Sequence, residues 1–317
     1  LFTGKKQILE EQIDSMQMWV DWITNHTNIE QRLDQEDNNS YLWITDGNQF
    51  GDWLALDGPK SRIINYKAAM GGTETSFLCS AFYYYSTTLL VKAAGVLGKQ
   101  EMVQQYSELA SNILQSIRNE YFTPSGRCAI NTQTAHILSL QFGLVPEEQR
   151  LATFSALYEL LLEDKKLDHL KLKTGFLGTP YICRVLSDFG YPRLSYNIFL
   201  SPEIPGWIYE VKMGATSMWE RWDSILPNLS FNQQYSMNSL NHYWSGSIFE
   251  WFYSNVAGIS PIESPPGFKE FNLHPQPVFD QRLKKIEVSY NSPMGIIYSR
   301  WEMTSPQTCL FTFTVPY

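Results

Sequence analysis

Before residue 258 this chain is built almost entirely from blocks of helical apolar spacing, with scarce strand signals. Residues from Lys5 to Asn25 place Ile8, Ile13, Met16, Met18, Trp19 and Trp22 at helical intervals, with acids early in the segment. Thr75 to Leu97 is a longer pattern closed by Gly98, and Glu101 to Phe122 comes directly after it. Thr132–Phe142, Glu147–Glu163, Gly178–Phe189 and Gly246–Val256 continue it, the first three ended by Gly143, by a Lys/Asp run and by Gly190. Asp34–Gly58 reads as a polar loop carrying Asp46-Gly47-Asn48 and Gly51-Asp52-Trp53-Leu54. Helix after helix on short connections predicts antiparallel helical hairpins, arranged as a bundle or closed into a barrel. No tight self-similar repeat marks the units.

The character changes at Gly258. Pro261, Pro265, Pro266, Gly267, Pro275 and Pro277 break the helical pattern. Lys285–Tyr290, Gly295–Glu302 and Thr308–Val315 then alternate as strands around Ser292-Pro293 and Ser305-Pro306 turns. The expectation is a helical domain over 1–257 and part of a β-sandwich over 258–317. So few strands are hard to stabilise alone, and with Leu1 at one end and an alternating run at the other the chain reads as cut at both ends.

The formal charge of −8 disfavours nucleic acid and anionic membrane surfaces, because nothing here neutralises phosphate in blocks. No apolar run reaches the ~20 residues of a membrane span. Cys79, Cys128, Cys183 and Cys309 are far apart and lack CxxC pairing, so they read as buried small residues rather than a zinc site or disulfide framework. They leave the redox compartment open. Sequons stand at Asn25, Asn38 and Asn228. Phosphate-loop, dinucleotide, GxSxG and HExxH motifs are absent from the sequence, no calcium ligand set declares itself, and no cofactor or metal is expected.

Chemistry-bearing residues concentrate between Trp207 and Trp251. Glu220 and Arg221 lie between Trp219 and Trp222, with Asp223 next; Asn241, His242, Tyr243 and Trp244 come later. Aromatic faces stack on the apolar side of a pyranose, and carboxylate, guanidinium and imidazole take its hydroxyls. A carboxylate among indoles is desolvated, which raises its pKa and suits it to proton transfer. The structural alternative is half-buried aromatics with a Glu/Arg pair on their rim. Gly51-Asp52-Trp53 reads as a substrate loop or, alternatively, as a helix cap at Asp52. His242 reads as a sugar contact or a hydrogen-bonded structural residue, and His136 as structural.

Gly51-Asp52-Trp53-Leu54, Thr174-Gly175-Phe176-Leu177-Gly178-Thr179-Pro180, the run from Gly214 to Asp223 and the run from Asn238 to Tyr243 occur in an order that resembles the bacterial α-L-rhamnosidase family of glycoside hydrolases. The likeness extends through Val256-Ala257-Gly258-Ile259 and Pro265–Pro277. It implies a mainly α chain, an (α/α)6 barrel leading into a β-sandwich, and hydrolysis of terminal α-L-rhamnosides with inversion. Glu220 takes the place of the general base, Trp53 that of a pocket wall, and His242 that of a sugar contact. Asp52, Arg221, Trp222 and Tyr243 complete the expected substrate-binding set. The family's general acid lies in an upstream acid-rich motif that these residues do not contain, and Leu1–Lys6 resembles the part of the barrel just beyond that motif. The barrel is therefore expected to lack its first helices here. The substrate expected is a rhamnose-containing glycan or glycoside, met in a periplasmic or extracellular setting rather than a cytoplasmic one. Two other readings stand beside this one. One is a carbohydrate-binding protein without an acid. The other is a polysaccharide lyase using His242, Tyr243 and Arg221, against which the net acidity argues because its substrate would be a polyanion.

Overall fold

The computed structural model describes residues 1–31, 41–44, 49–59, 69–162, 170–233 and 238–317. Asp46-Gly47-Asn48, the Asn38 sequon, His169 and the Lys/Asp run after Leu162 lie outside them. Contacts divide the chain into two units, one of Lys6–Glu163 with Lys173–Tyr181 and the other of Leu1–Lys5 and Asp164–Leu172 with Ile182–Tyr317.

In the first unit α1 spans Gln7–Gln31 and buries Ile13, Val20 and Ile23, one stripe of its surface. It packs on α2, Thr75–Val96, where Thr24 Oγ1 and Tyr83 OH meet at 2.6 Å. The three-residue link from Leu97 turns at Gly98, whose φ of +72° suits a residue without Cβ. Then α3, Gln100–Tyr121, packs against α2. Tyr106, Ala110, Ile113, Ile117 and Tyr121 lie at helical spacing and are all buried. Ile113 and Ile117 each contribute about 1.5–3 kcal/mol by leaving water. The hydroxyl of Tyr106 reaches back to Asp21 Oδ1 at 2.7 Å.

α4, Gln133–Gln141, is capped by Thr132, whose Oγ1 accepts from the Ala135 amide at 3.2 Å. Buried residues lie on every side of this helix, which makes it a core element rather than an amphipathic one. Phe142 at its end stacks on Tyr85 at 4.3 Å and meets Phe82 and Tyr181 edge-on. A 3-10 turn at Glu147–Gln149 leads into α5, Arg150–Leu161, which packs on α4. α6 is next, at Thr179–Asp188.

The second unit takes up α7, Pro192–Phe199, and α8, Trp207–Lys212. Neither stood out in the sequence, being too short to show a periodic stripe. The segment read as one helix at Gly246–Val256 is a 3-10 turn at Trp244–Ser247, α9 at Ile248–Trp251 and a π turn at Phe252–Val256. Trp251 is buried there, its Nε1 donating to Ser187 Oγ at 2.8 Å. The helix-to-strand change falls at Gly258, as the prolines indicated. β1 (Ile259–Pro261) pairs antiparallel with β2 (Phe271–Leu273). β3 (Lys285–Ser292), β4 (Gly295–Ser305) and β5 (Thr308–Thr314) form an antiparallel meander in which Ile286 faces Trp301 and Ser299 faces Phe313. Two small sheets are thus what these residues supply of the expected sandwich. They join the helical part through Trp301 Nε1, which donates to Val256 O at 2.8 Å, and Ser299 Oγ, which donates to Ala257 O at 2.6 Å. Among the described residues no helix is long and apolar enough to cross a membrane.

Candidate active site

The residues singled out by sequence fall into two constellations, one in each unit. In the second unit, α8 ends at Lys212 and the chain turns through Gly214, whose φ of +88° favours glycine. The turn delivers Trp219-Glu220-Arg221-Trp222 to an aromatic cluster. Trp222 stands edge-on to Trp207 at 5.0 Å and to Trp244 at 5.1 Å. Trp207 Nε1 donates to Ser245 O at 2.9 Å.

The peptide around Glu220 is tied on every side. Its N–H donates to Ser239 O at 2.8 Å, and Trp244 Nε1 donates to the carbonyls of Trp219 and Glu220 at 3.1 and 3.0 Å. The Trp219 amide donates to Glu210 Oε2 at 3.3 Å, and the Ser239 amide to Glu220 Oε2 at 3.4 Å. Two further bonds tie this segment to the 238–243 loop: His242 N to Met218 O at 2.8 Å and Ser217 Oγ to Leu240 O at 2.5 Å. Glu220 is 8% exposed. The Glu-Arg and Asn-His-Tyr motifs are therefore two strands of one loop assembly, although some twenty positions of chain separate them.

Around this base of indoles the polar side chains differ in depth. Tyr243 is 87% exposed and stacks with half-buried His242 at 5.3 Å. Arg221 is half-buried and acts electrostatically on Asp223. Burial raises the Asp223 carboxyl, and Arg221 and the Asn232 amide at 2.8 Å oppose that rise. Trp222, expected to meet a sugar, is only 4% exposed. Its ring is enclosed by other indoles, so it builds the wall rather than the stacking face.

Sequence reasoning missed Glu210. It lies on α8, 2% exposed, and burial pushes its carboxyl up to about 8, against the opposing bond from the Trp219 amide. The strongly desolvated acid of this cluster is thus ten residues before the glutamate that the indoles pointed to. A carboxyl inside a short apolar helix, Trp207-Ile208-Tyr209-Glu210, was the signal available.

In the first unit, Gly51 has φ +64° and Asp52 N donates to Met70 O at 2.9 Å. Asp52 is 0% exposed. Its Oδ2 accepts from Thr134 Oγ1 at 2.5 Å and Gly175 N at 2.8 Å, and its Oδ1 from Leu177 N at 2.8 Å and Gly178 N at 3.4 Å. Burial raises this carboxyl above its ordinary value, and the bonds from Thr134, Gly175 and Leu177 hold the rise back. Asp52 is neither a helix cap nor a sugar contact here, because both oxygens are committed to Thr134 and the 174–178 loop. Phe176 N donates to Trp53 O at 2.9 Å. A Cβ on Gly175 would overlap the carbonyl oxygens of Trp53 and Asp52, and one on Gly178 would overlap Thr134 Oγ1. Gly-Asp-Trp and Thr-Gly-Phe-Leu-Gly are one interlocked structure, with Trp53 left half-buried, edge-on to the exposed Phe50 at 5.9 Å. His136 is buried with Nε2 3.0 Å from Asn131 Oδ1, and burial depresses it to about 4, as suits a structural imidazole.

Residues 1–256 match the model of the bacterial alpha-L-rhamnosidase 6 hairpin glycosidase domain, and residues 258–317 that of the bacterial alpha-L-rhamnosidase C-terminal domain. The chain belongs to the bacterial α-L-rhamnosidase family. Its helical hairpins are accordingly those of the (α/α)6 class, leading into a small sheet region. An α-L-rhamnosidase of Formosa agariphila is 34% identical over 99% of this chain and 31% of its own length. Another, of an Alteromonas species, is 34% identical over 96% and 31%. The crystal structure of the Streptomyces avermitilis α-L-rhamnosidase complexed with L-rhamnose superposes with a TM-score of 0.80 at 30% identity, covering 99% of this chain and 27% of that one. The Aspergillus terreus α-L-rhamnosidase gives 0.84 at 29% identity, over 99% and 34%. The chain thus spans about a third of the length of the curated relatives it matches.

Proposed function

We propose that this chain carries the base half of an α-L-rhamnosidase: Glu220 activates a water that attacks the anomeric carbon of a terminal α-L-rhamnoside, with inversion. The observation that carries the reading is the fixed Trp219–Glu220 peptide. A base must be held within hydrogen-bond reach of its water, and bonds at both carbonyls and both amides of this peptide supply that rigidity. Family membership and the rhamnosidase names of the relatives support the substrate class.

Rhamnose is a 6-deoxy sugar with one apolar face and several hydroxyls. Within the second unit Tyr243 offers a face for the former, and Arg221 and His242 offer donors for the latter, with Trp222 behind them as a support. Within the first unit the family resemblance gives Trp53 the part of a pocket wall, with Asp52 behind it as a support. In the inverting scheme the base takes the water's proton while a carboxylic acid, roughly 6.5–9.5 Å away, protonates the leaving oxygen. We assign that acid to none of the 317 residues, because the acid-rich motif that carries it in the family is not among them. Two carboxyl groups and one water balance the reaction. We also take 1–257 as the catalytic domain and 258–317 as the C-terminal sheet domain.

The test is the anomer first released from p-nitrophenyl α-L-rhamnoside by the full-length gene product, tracked by proton NMR. β-L-rhamnose appearing first supports inversion. α-L-rhamnose first, or rhamnose binding without any release, rejects it, the latter in favour of a carbohydrate-binding protein.

A further inference from the structure

Glu210 has no place in the reaction as proposed, yet it grips both ends of the turn that delivers the base. Its backbone carbonyl accepts from Met213 N at 3.1 Å and Ala215 N at 3.0 Å, at the start of the turn. Its side-chain Oε2 accepts from Trp219 N at 3.3 Å, at the end. Between them lies Gly214 at positive φ, the point at which this segment is easiest to re-fold. The other three backbone anchors of the Trp219–Glu220 peptide come from Ser239 and Trp244, on the far side of the loop assembly. Glu210 is the anchor that ties that peptide back to α8.

Resting on the reading of Glu220 as base, we propose that Glu210 is a positioning residue for it: by spanning the 213–219 turn it fixes the direction in which the Glu220 side chain leaves the backbone. The form in which it does so is the neutral acid. Among the described residues Glu210 Oε1 is buried without a hydrogen-bond partner and no cation acts on the group. A carboxylate ion with one long N–H bond is poorly compensated at such depth, whereas a protonated carboxyl needs far less. An acceptor oxygen is therefore what the site requires at position 210, and a charge is not.

The experiment compares Glu210→Met, Glu210→Gln and Glu220→Gln in the full-length protein on p-nitrophenyl α-L-rhamnoside. Methionine keeps the volume and removes the acceptor; glutamine keeps an acceptor oxygen without a charge. The expected result is a fall in kcat of at least tenfold for Glu210→Met with KM within about threefold, and recovery of most of that loss in Glu210→Gln. A support for overall folding only would lower the active fraction and the melting temperature, and would leave kcat per folded active site unchanged after active-site titration. The proposal is overturned if Glu210→Met keeps kcat within twofold, or if Glu210→Gln loses as much as Glu210→Met, which would make the proton or charge itself necessary. A Glu220→Gln protein with normal turnover removes the base assignment instead, whatever the Glu210 variants do.

Discussion

Asp52 is a carboxylate with both oxygens engaged in the first unit, and its removal has a calculable cost. In Asp52→Ala, the amides of Gly175, Leu177 and Gly178 and the hydroxyl of Thr134 lose their acceptor. An orphaned buried donor costs about 1–3 kcal/mol. The four do not add in full, because the Thr134 hydroxyl can rotate and the Gly178 bond is already long at 3.4 Å. Removing the ion also returns part of its burial penalty, which is the largest influence on the carboxyl. The net expectation is about 3–5 kcal/mol, in the range found when one partner of a buried charge cluster is deleted. Asp52→Asn keeps one acceptor oxygen but sets an amide N–H against Gly175 N or Leu177 N, so it loses about half as much. The loss is local, and native-state hydrogen exchange of a peptide covering 174–179 reads it more directly than global unfolding of a two-unit chain. At 1.4 kcal/mol per tenfold, 3 kcal/mol speeds exchange at Gly175 and Leu177 by about 10²-fold. Exchange within threefold of the wild-type rate in Asp52→Ala would refute the clamp.

Other expectations rest on the same geometry. The pocket-wall role proposed for Trp53 predicts that Trp53→Ala raises KM about tenfold while kcat stays within threefold; steady-state kinetics on p-nitrophenyl α-L-rhamnoside decide it. His136 is depressed from 6.5 to about 4, so the folded state resists a proton that the unfolded chain accepts. Its contribution is present above pH 6.5 and is lost as pH falls towards 4, by up to about 3 kcal/mol. Denaturant midpoints measured between pH 7 and 4 should fall less steeply in His136→Gln; equal slopes would contradict the assignment.

The two long helices α2 and α3 were legible in the sequence to within a residue or two, whereas α1 runs to Gln31, six residues past the Asn25 at which the sequence pattern ends it. α2 and α3 carry glycine at their junction, α2 being a long apolar run and α3 showing a stripe that repeats over its whole length, which leaves little freedom in their placement. α7 and α8 span eight and six residues, too few for a stripe to emerge, and the π turn at Phe252–Val256 is set by tertiary packing around Trp251. At the site, sequence grouped the right segments but misjudged depth. Trp222 and Asp52 looked like surface chemistry because aromatic and acidic residues commonly are; burial by Trp207 and Trp244 in one case, and by the 174–178 loop in the other, is information held in segments far along the chain. The apolar run around Glu210 was a signal, but what the carboxyl holds was hidden for the same reason. Its partner, the Trp219 amide, is a backbone group, and no residue type announces one.

The most direct test of the central claim replaces one atom of Glu220. In the full-length gene product, Glu220→Gln removes the basic oxygen and keeps the shape. The account predicts that turnover of p-nitrophenyl α-L-rhamnoside falls by at least 10³-fold while rhamnose still binds within about threefold of the wild-type affinity. Turnover within tenfold of wild type, with binding intact, would show that the base lies elsewhere.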